Sequence, residues 1–223
     1  DNMNKEMKSV PSNSKGDVLH AITKAGLSAI PIVGGPAVEL FQYVVQPPLE
    51  KRRFEWMTSI GEKLNELEEN KFDLEKLKND ENFISVMMNA SQMALRTHHE
   101  EKLDALRNAI LNVAKGEAPD ESVQHLFLNF VDFFTAPHLR ILKVFQAPKA
   151  PPSISMGGLS NVLEFNIPEL KNRTDIYDQF WRDLYSRGLV NTDSLHTMMS
   201  NSGLSAQRTT NLGNAFLKFI EKT

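Results

Sequence analysis

Cysteine is absent from the 223 residues. Without thiols there is no disulfide framework and no thiolate-held metal, and the chain suits a reducing cytoplasm. Strand signals are scarce too. No long Val/Ile/Thr alternation occurs, and no Asn-Gly pair joins two such runs, so an extensive sheet is not expected. The motifs of common enzyme classes are missing. There is no G-x-S-x-G nucleophile turn and no G-x-x-x-x-G-K-[ST] phosphate loop. The Gly pair in "IVGGPA" lacks the spacing and the preceding strand of a dinucleotide fingerprint. Neither charge sign dominates. With 25 Lys/Arg against 28 Asp/Glu, the net charge is −3, which speaks against a general nucleic-acid binder. The opening "DNMNKEMKSVPSNSKGD" has no basic region followed by an apolar one, so no secretory leader is expected there.

Helical periodicity fills most of the space left by these absences. Phe54, Met57, Ile60, Leu64 and Leu67 recur at steps of three and four. So do Phe83, Met87, Ala90 and Ala94, then Leu103, Leu106, Ile110 and Val113, then Val123, Phe127, Phe130 and Phe134. Each set predicts one apolar stripe facing a core. Asp73, Asp80, Thr135 and Thr174 read as N-caps, Pro119 as a first helical residue, and Gly116 and Gly188 as stops. The fold class expected is all-α: a bundle of roughly seven to nine helices with at most a minor ribbon near Arg208. A polar tail covers 1–16 and the bundle 17–146. A packed linker rich in Pro and Gly covers 147–172, with Leu159, Val162, Leu163, Phe165 and Ile167 inward. A small C-terminal helical module covers 173–223, its last helix turning Leu212, Phe216, Phe219 and Ile220 inward.

The least charged stretch, Ala25–Leu49, carries only Glu39. It is long enough in count to cross a bilayer, which takes ~20 apolar residues, yet Pro31, Gly34-Gly35-Pro36 and Pro47-Pro48 break it. The reading it favours is a buried helical hairpin over 17–48. The sharper alternative is a hairpin that inserts into a membrane, with Lys51, Arg52 and Arg53 at the anionic face. Val38, Phe41 and Val45 are then the residues that would meet lipid or a partner.

Candidate chemistry is thin. His98-His99-Glu100-Glu101 is the densest group of potential ligands, but adjacent helical residues point ~100° apart. His98 with Glu101, and Glu121 with His125, are two-ligand pairs without a second pair to complete them. No metal or cofactor is expected. His20, His138 and His196 read as surface or capping groups. The phenylalanines at 127, 130, 133 and 134 read as core. The pattern "FWRDLYSRGLV" then "QRTTNLGNAFLKFI" resembles the end of winged-helix domains, which singles out Arg182, Arg187 and Arg208 as available cations, although 191–203 reads as helix rather than wing.

Taken together, "GLSAIPIVGGPAVELF", "PPLEKRRFEW", "MALRTHHEEKLDALRNAILN" and "GLVNTDSLHTMMSNSGLSAQRTTNLGNAFLKFI" resemble a family of bacterial all-helical proteins with no known activity. Their close is also similar to the ends of abortive-infection-type proteins. The resemblance implies a bacterial source and a soluble helical body, and it assigns no functional residue. The leading expectation is a non-enzymatic, cytoplasmic interaction protein with an unknown protein partner, its surface built from helix faces and 147–170. The alternatives are a membrane-active effector exposing 17–48, a DNA-binding regulator using the C-terminal module, and a helical hydrolase using His98–Glu101.

Overall fold

The computed structural model describes residues 46–222. The candidate residues Val38, Phe41 and Val45, the hairpin 17–48 apart from its last three residues, and His20 lie outside the described part. The chain divides after Ser59 into two compact units, 1–59 and 60–223. Helix α1, Gln46–Glu69, carries residues of both. After it come a 3-10 turn at Leu74–Asn79 and helices α2 (Glu81–Leu95), α3 (Glu100–Ala114), α4 (Glu121–Phe133) and α5 (Ala136–Gln146). The rest comprises strand β1 (Met156–Gly157), α6 (Leu159–Asn166), α7 (Thr174–Ser186), strand β2 (Met199–Ser200), α8 (Asn201–Leu204) and α9 (Asn211–Ile220). The fold is all-α, with a two-stranded antiparallel ribbon in which Met156 faces Ser200 and Gly157 faces Met199.

The starts of the helices follow from local chemistry. Asp80 accepts from the Phe83 amide and Asp120 from the Val123 amide, each satisfying an orphan donor of a first turn. Pro119 therefore stands one residue before the cap of α4 rather than inside the helix. Thr174 is the first residue of α7, and Arg173 occupies the cap position. Gly116 and Gly188 end their helices as expected, at φ of 73° and 72°, a region that side-chain-bearing residues seldom enter.

In the first unit, Leu49 and Trp56 are buried while Phe54 and Met57 are 74% and 53% exposed. Among the described side chains of α1, Leu49 and Trp56 of this unit and Ile60 of the next are buried. Of the expected stripe, Phe54 and Met57 are thus exposed and Ile60 is buried, while Trp56, outside that stripe, is buried as well.

In the second unit, α3 packs against α2, α4, α5 and α9. Phe127 and Phe130 of α4 meet Phe216 of α9 at ring distances of 5.4 and 5.6 Å, and Phe127 meets Phe219 at 5.6 Å. Each buried phenylalanine contributes about 1.5–3 kcal/mol of apolar burial. Phe133, expected in this core, is instead 51% exposed. It stands one position outside the stripe, and the Arg187 guanidinium lies 3.6 Å from its ring centre.

The Pro-rich segment is packed, with Leu159, Val162, Leu163 and Ile167 buried. Phe165, expected inward, is 49% exposed on the outer side of α6. The stretch 191–203 is not one helix: it is irregular up to Met198 and then forms β2 and the start of α8. It makes no wing hairpin of its own, since β2 pairs back with β1. Near Arg208, where at most a minor ribbon is expected, the described residues form a single isolated bridge, Val190 to Thr209.

Candidate functional site: a groove walled by α3, α5 and α9

Two asparagines build the site. Asn108 and Asn112 are four apart on α3 and face α9. The Asn108 amide donates to the Ile220 carbonyl at 3.0 Å. The Asn112 amide donates to the carbonyls of Phe219 and Glu221 at 2.9 and 3.0 Å. The last carbonyls of a helix have no partner within it, so these amides fix where α9 stops. Asn112 is 2% exposed, and leaving such a group unpaired would carry a full desolvation cost.

Where α9 ends against α3 and α5, an open groove of about 580 Å³ remains. Ala105, Leu111, Leu139, Leu217 and Ile220 line its apolar part. Charged side chains form the rim and pair largely with one another. Arg107 lies 2.6 Å from Asp104 and 3.2 Å from Glu100. Arg140 faces Glu101 at 3.7 Å and also meets Glu169, while Lys143 reaches Glu221 at 3.0 Å. Such surface pairs are weakly held and exchange readily.

A second arrangement has the outline of a catalytic triad. His138 is 3% exposed. Its Nδ1 lies 2.8 Å from Thr135 Oγ1, and its Nε2 lies 3.2 Å from Asp183 Oδ2. The lone pair a general base needs is already taken, because the Thr135 amide donates to Nδ1 at 3.1 Å. That bond assigns the ring proton to Nε2, facing Asp183. Burial pushes the His138 pKa below its ordinary value, with Asp183 opposing that shift and Arg187 and Lys102 adding to it. His138 is thus a neutral cap at the start of α5, as its reading as a capping group anticipates.

The other candidates are scattered. His98 and His99 are exposed, with ring centres 4.3 Å apart; Glu100 and Glu101 turn to Arg107 and Arg140. Glu121 and His125 are both exposed on α4. Among the described residues, no group of three or more His, Asp or Glu side chains is placed to hold a metal ion. Lys51 and Arg53 are exposed on α1, near Glu55 and Glu50 at 3.7 and 3.6 Å, and Arg52 is half-buried. Arg182 is exposed beside a smaller pocket of about 200 Å³, where His196 pairs with Asp178 at 2.8 Å. Arg187 is held over Phe133, and Arg208 donates to the Gly203 carbonyl. Among the described residues no helix is long and apolar enough to cross a membrane.

No protein-family model, curated protein or solved structure matches the chain. The groove itself escapes sequence reading, since its α3 and α9 walls meet across a long separation, 112 residues between Asn108 and Ile220. The one local signal is the Asn108–Asn112 pair, two amides at helical spacing beside an apolar stripe.

Proposed function

We propose that the protein is a non-enzymatic interaction protein whose α3–α5–α9 groove seats an amphipathic helix of a partner protein. The observation that carries this reading is an apolar floor bounded by charges of both signs, the anatomy of a helix-binding groove. A rim of exchangeable pairs suits a partner whose own polar edge bears both signs. The cysteine-free composition and the resemblance to bacterial helical proteins support a bacterial cytoplasm as its setting. Selection from a displayed library of amphipathic helical peptides tests the reading. Peptides that bind the intact protein and lose at least tenfold in affinity with Leu111→Glu, at a half-buried floor position, are the expected result. Failure to recover any peptide sensitive to that change contradicts it.

A second reading, attachment to a membrane surface, rests on a separate observation. Phe54 and Met57 are exposed three residues apart on α1, preceded by Lys51 and Arg53, which can leave Glu55 and Glu50 for the headgroups of an anionic bilayer. Flotation with phosphatidylserine vesicles, lost in the Phe54→Glu/Met57→Glu variant, is the expected result. A wild-type protein that stays at the bottom of the gradient removes this reading. The engagement of Arg187 and Arg208 within the fold takes support from a DNA-binding role.

A further inference from the structure

We infer that the corner between α4 and α5 is an acid-sensitive latch, in which a proton on His138 exchanges the backbone cap that starts α5 for a charged contact with Asp183. Both ring nitrogens of His138 have assigned partners. Nδ1 accepts from the Thr135 amide at 3.1 Å, and Nε2 carries its proton toward Asp183 at 3.2 Å. A second proton has only Nδ1 to occupy. There it points at an amide donor, and two donors cannot share that bond. The Thr135 amide loses its acceptor, while Thr135 Oγ1, 2.8 Å away, turns to accept from the new N–H. The Nε2 contact gains the imidazolium charge facing the Asp183 side chain.

The surroundings decide on which side of neutrality this happens. Phe134 stacks on the imidazole at 5.0 Å, Phe180 of α7 lies at 4.5 Å, and Phe133 at 6.3 Å. These rings strip water from the charged form. Arg187 of α7 and Lys102 of α3 oppose a new positive charge, and Asp183 of α7 favours it. On α4, Asp132 is engaged by Arg96 at 2.8 Å, and its carbonyl accepts from Lys102 at 2.9 Å. The latch is therefore closed at neutral pH and opens in acid. What it releases is the first turn of α5, which also bears Leu139 of the groove and leads into Arg140. Acid control of docking rests on the groove reading; the latch itself does not.

The test needs no partner. Long-range nitrogen–proton spectra of the imidazoles, with amide exchange of α5 corrected for intrinsic chemistry, are recorded between pH 7.5 and 5. The expected result is an Nε2–H tautomer at pH 7.5, and protection of the α5 first turn that falls about fivefold toward pH 5, the scale of losing one backbone hydrogen bond. His138→Gln retains the side-chain acceptor of a Thr-x-x-Gln capping box but does not titrate, so its protection stays flat. An Nδ1–H tautomer at pH 7.5, pH-independent protection in the wild type, or an equal fall in His138→Gln overturns the latch. Should the variant not fold, the wild-type tautomer and titration decide alone.

Discussion

At the scale of single residues, small polar and small apolar groups fix the geometry. A Cβ added to Gly213 would stand 2.3 Å from the Leu189 carbonyl oxygen. Thr210 donates to the Gly188 carbonyl at 2.6 Å and accepts from the Gly213 amide at 3.0 Å. The "TTNLG" stretch thereby becomes a packing device at the start of α9. Gly213→Ala is expected to cost about 1–3 kcal/mol through forced separation of backbone, read by urea unfolding. Asn112→Ala, which removes the donor to the Phe219 and Glu221 carbonyls while Asn108 still serves Ile220, is expected to cost about 1–3 kcal/mol in the same assay. His138 adds a pH term. Its folded pKa lies below the unfolded value of about 6.5, so its contribution is complete above that value and is lost as pH falls toward the folded pKa. Unfolding free energy is expected to decline from pH 7 to pH 5 with a slope that His138→Gln reduces. The sequence displays these residues but not their partners: Gly213 reads as a mere helix position until Leu189 is beside it.

At the scale of elements, helices with strong stripes and chemical caps are legible, and elements defined by neighbours are not. The expected stripes of α2, α3 and α4 correspond to buried Phe83, Ala90, Ala94, Leu106, Ile110, Val113, Phe127 and Phe130. Asp80 and Thr135 stand at the cap positions read for them. Helix α6 was hidden because Gly157-Gly158 and four prolines mark its surroundings as linker, although Leu159, Val162 and Leu163 alone supply its inner face. Leu163→Ala, at a position with no exposure, is expected to cost about 2–5 kcal/mol in denaturant unfolding, whereas an unpacked linker would tolerate it. The stripe of α1 failed for a different reason. Periodicity names a set of apolar positions, and two overlapping sets, Phe54/Met57 and Leu49/Trp56, compete on one helix. Only the environment chooses between them.

At the scale of the whole molecule, the described residues from Ile60 onward belong to one compact unit, and the account depends on α9 being part of its core. Sequence reading separates 173–223 as a module because Pro and Gly precede it. The ring contacts of Phe216 and Phe219 with α4, the asparagine caps from α3 and the T-shaped pair of Phe145 with Trp181 at 4.8 Å instead tie α7 and α9 to the preceding helices. The groove exists only where those helices meet. Native-state hydrogen exchange under increasing denaturant tests this most directly, because cooperative units reveal themselves by shared opening energies. The account predicts that the slowest amides of α3, α5 and α9 converge on one opening free energy with one denaturant dependence. A group comprising α7 and α9 that opens at lower free energy while α3 and α5 stay protected would contradict it.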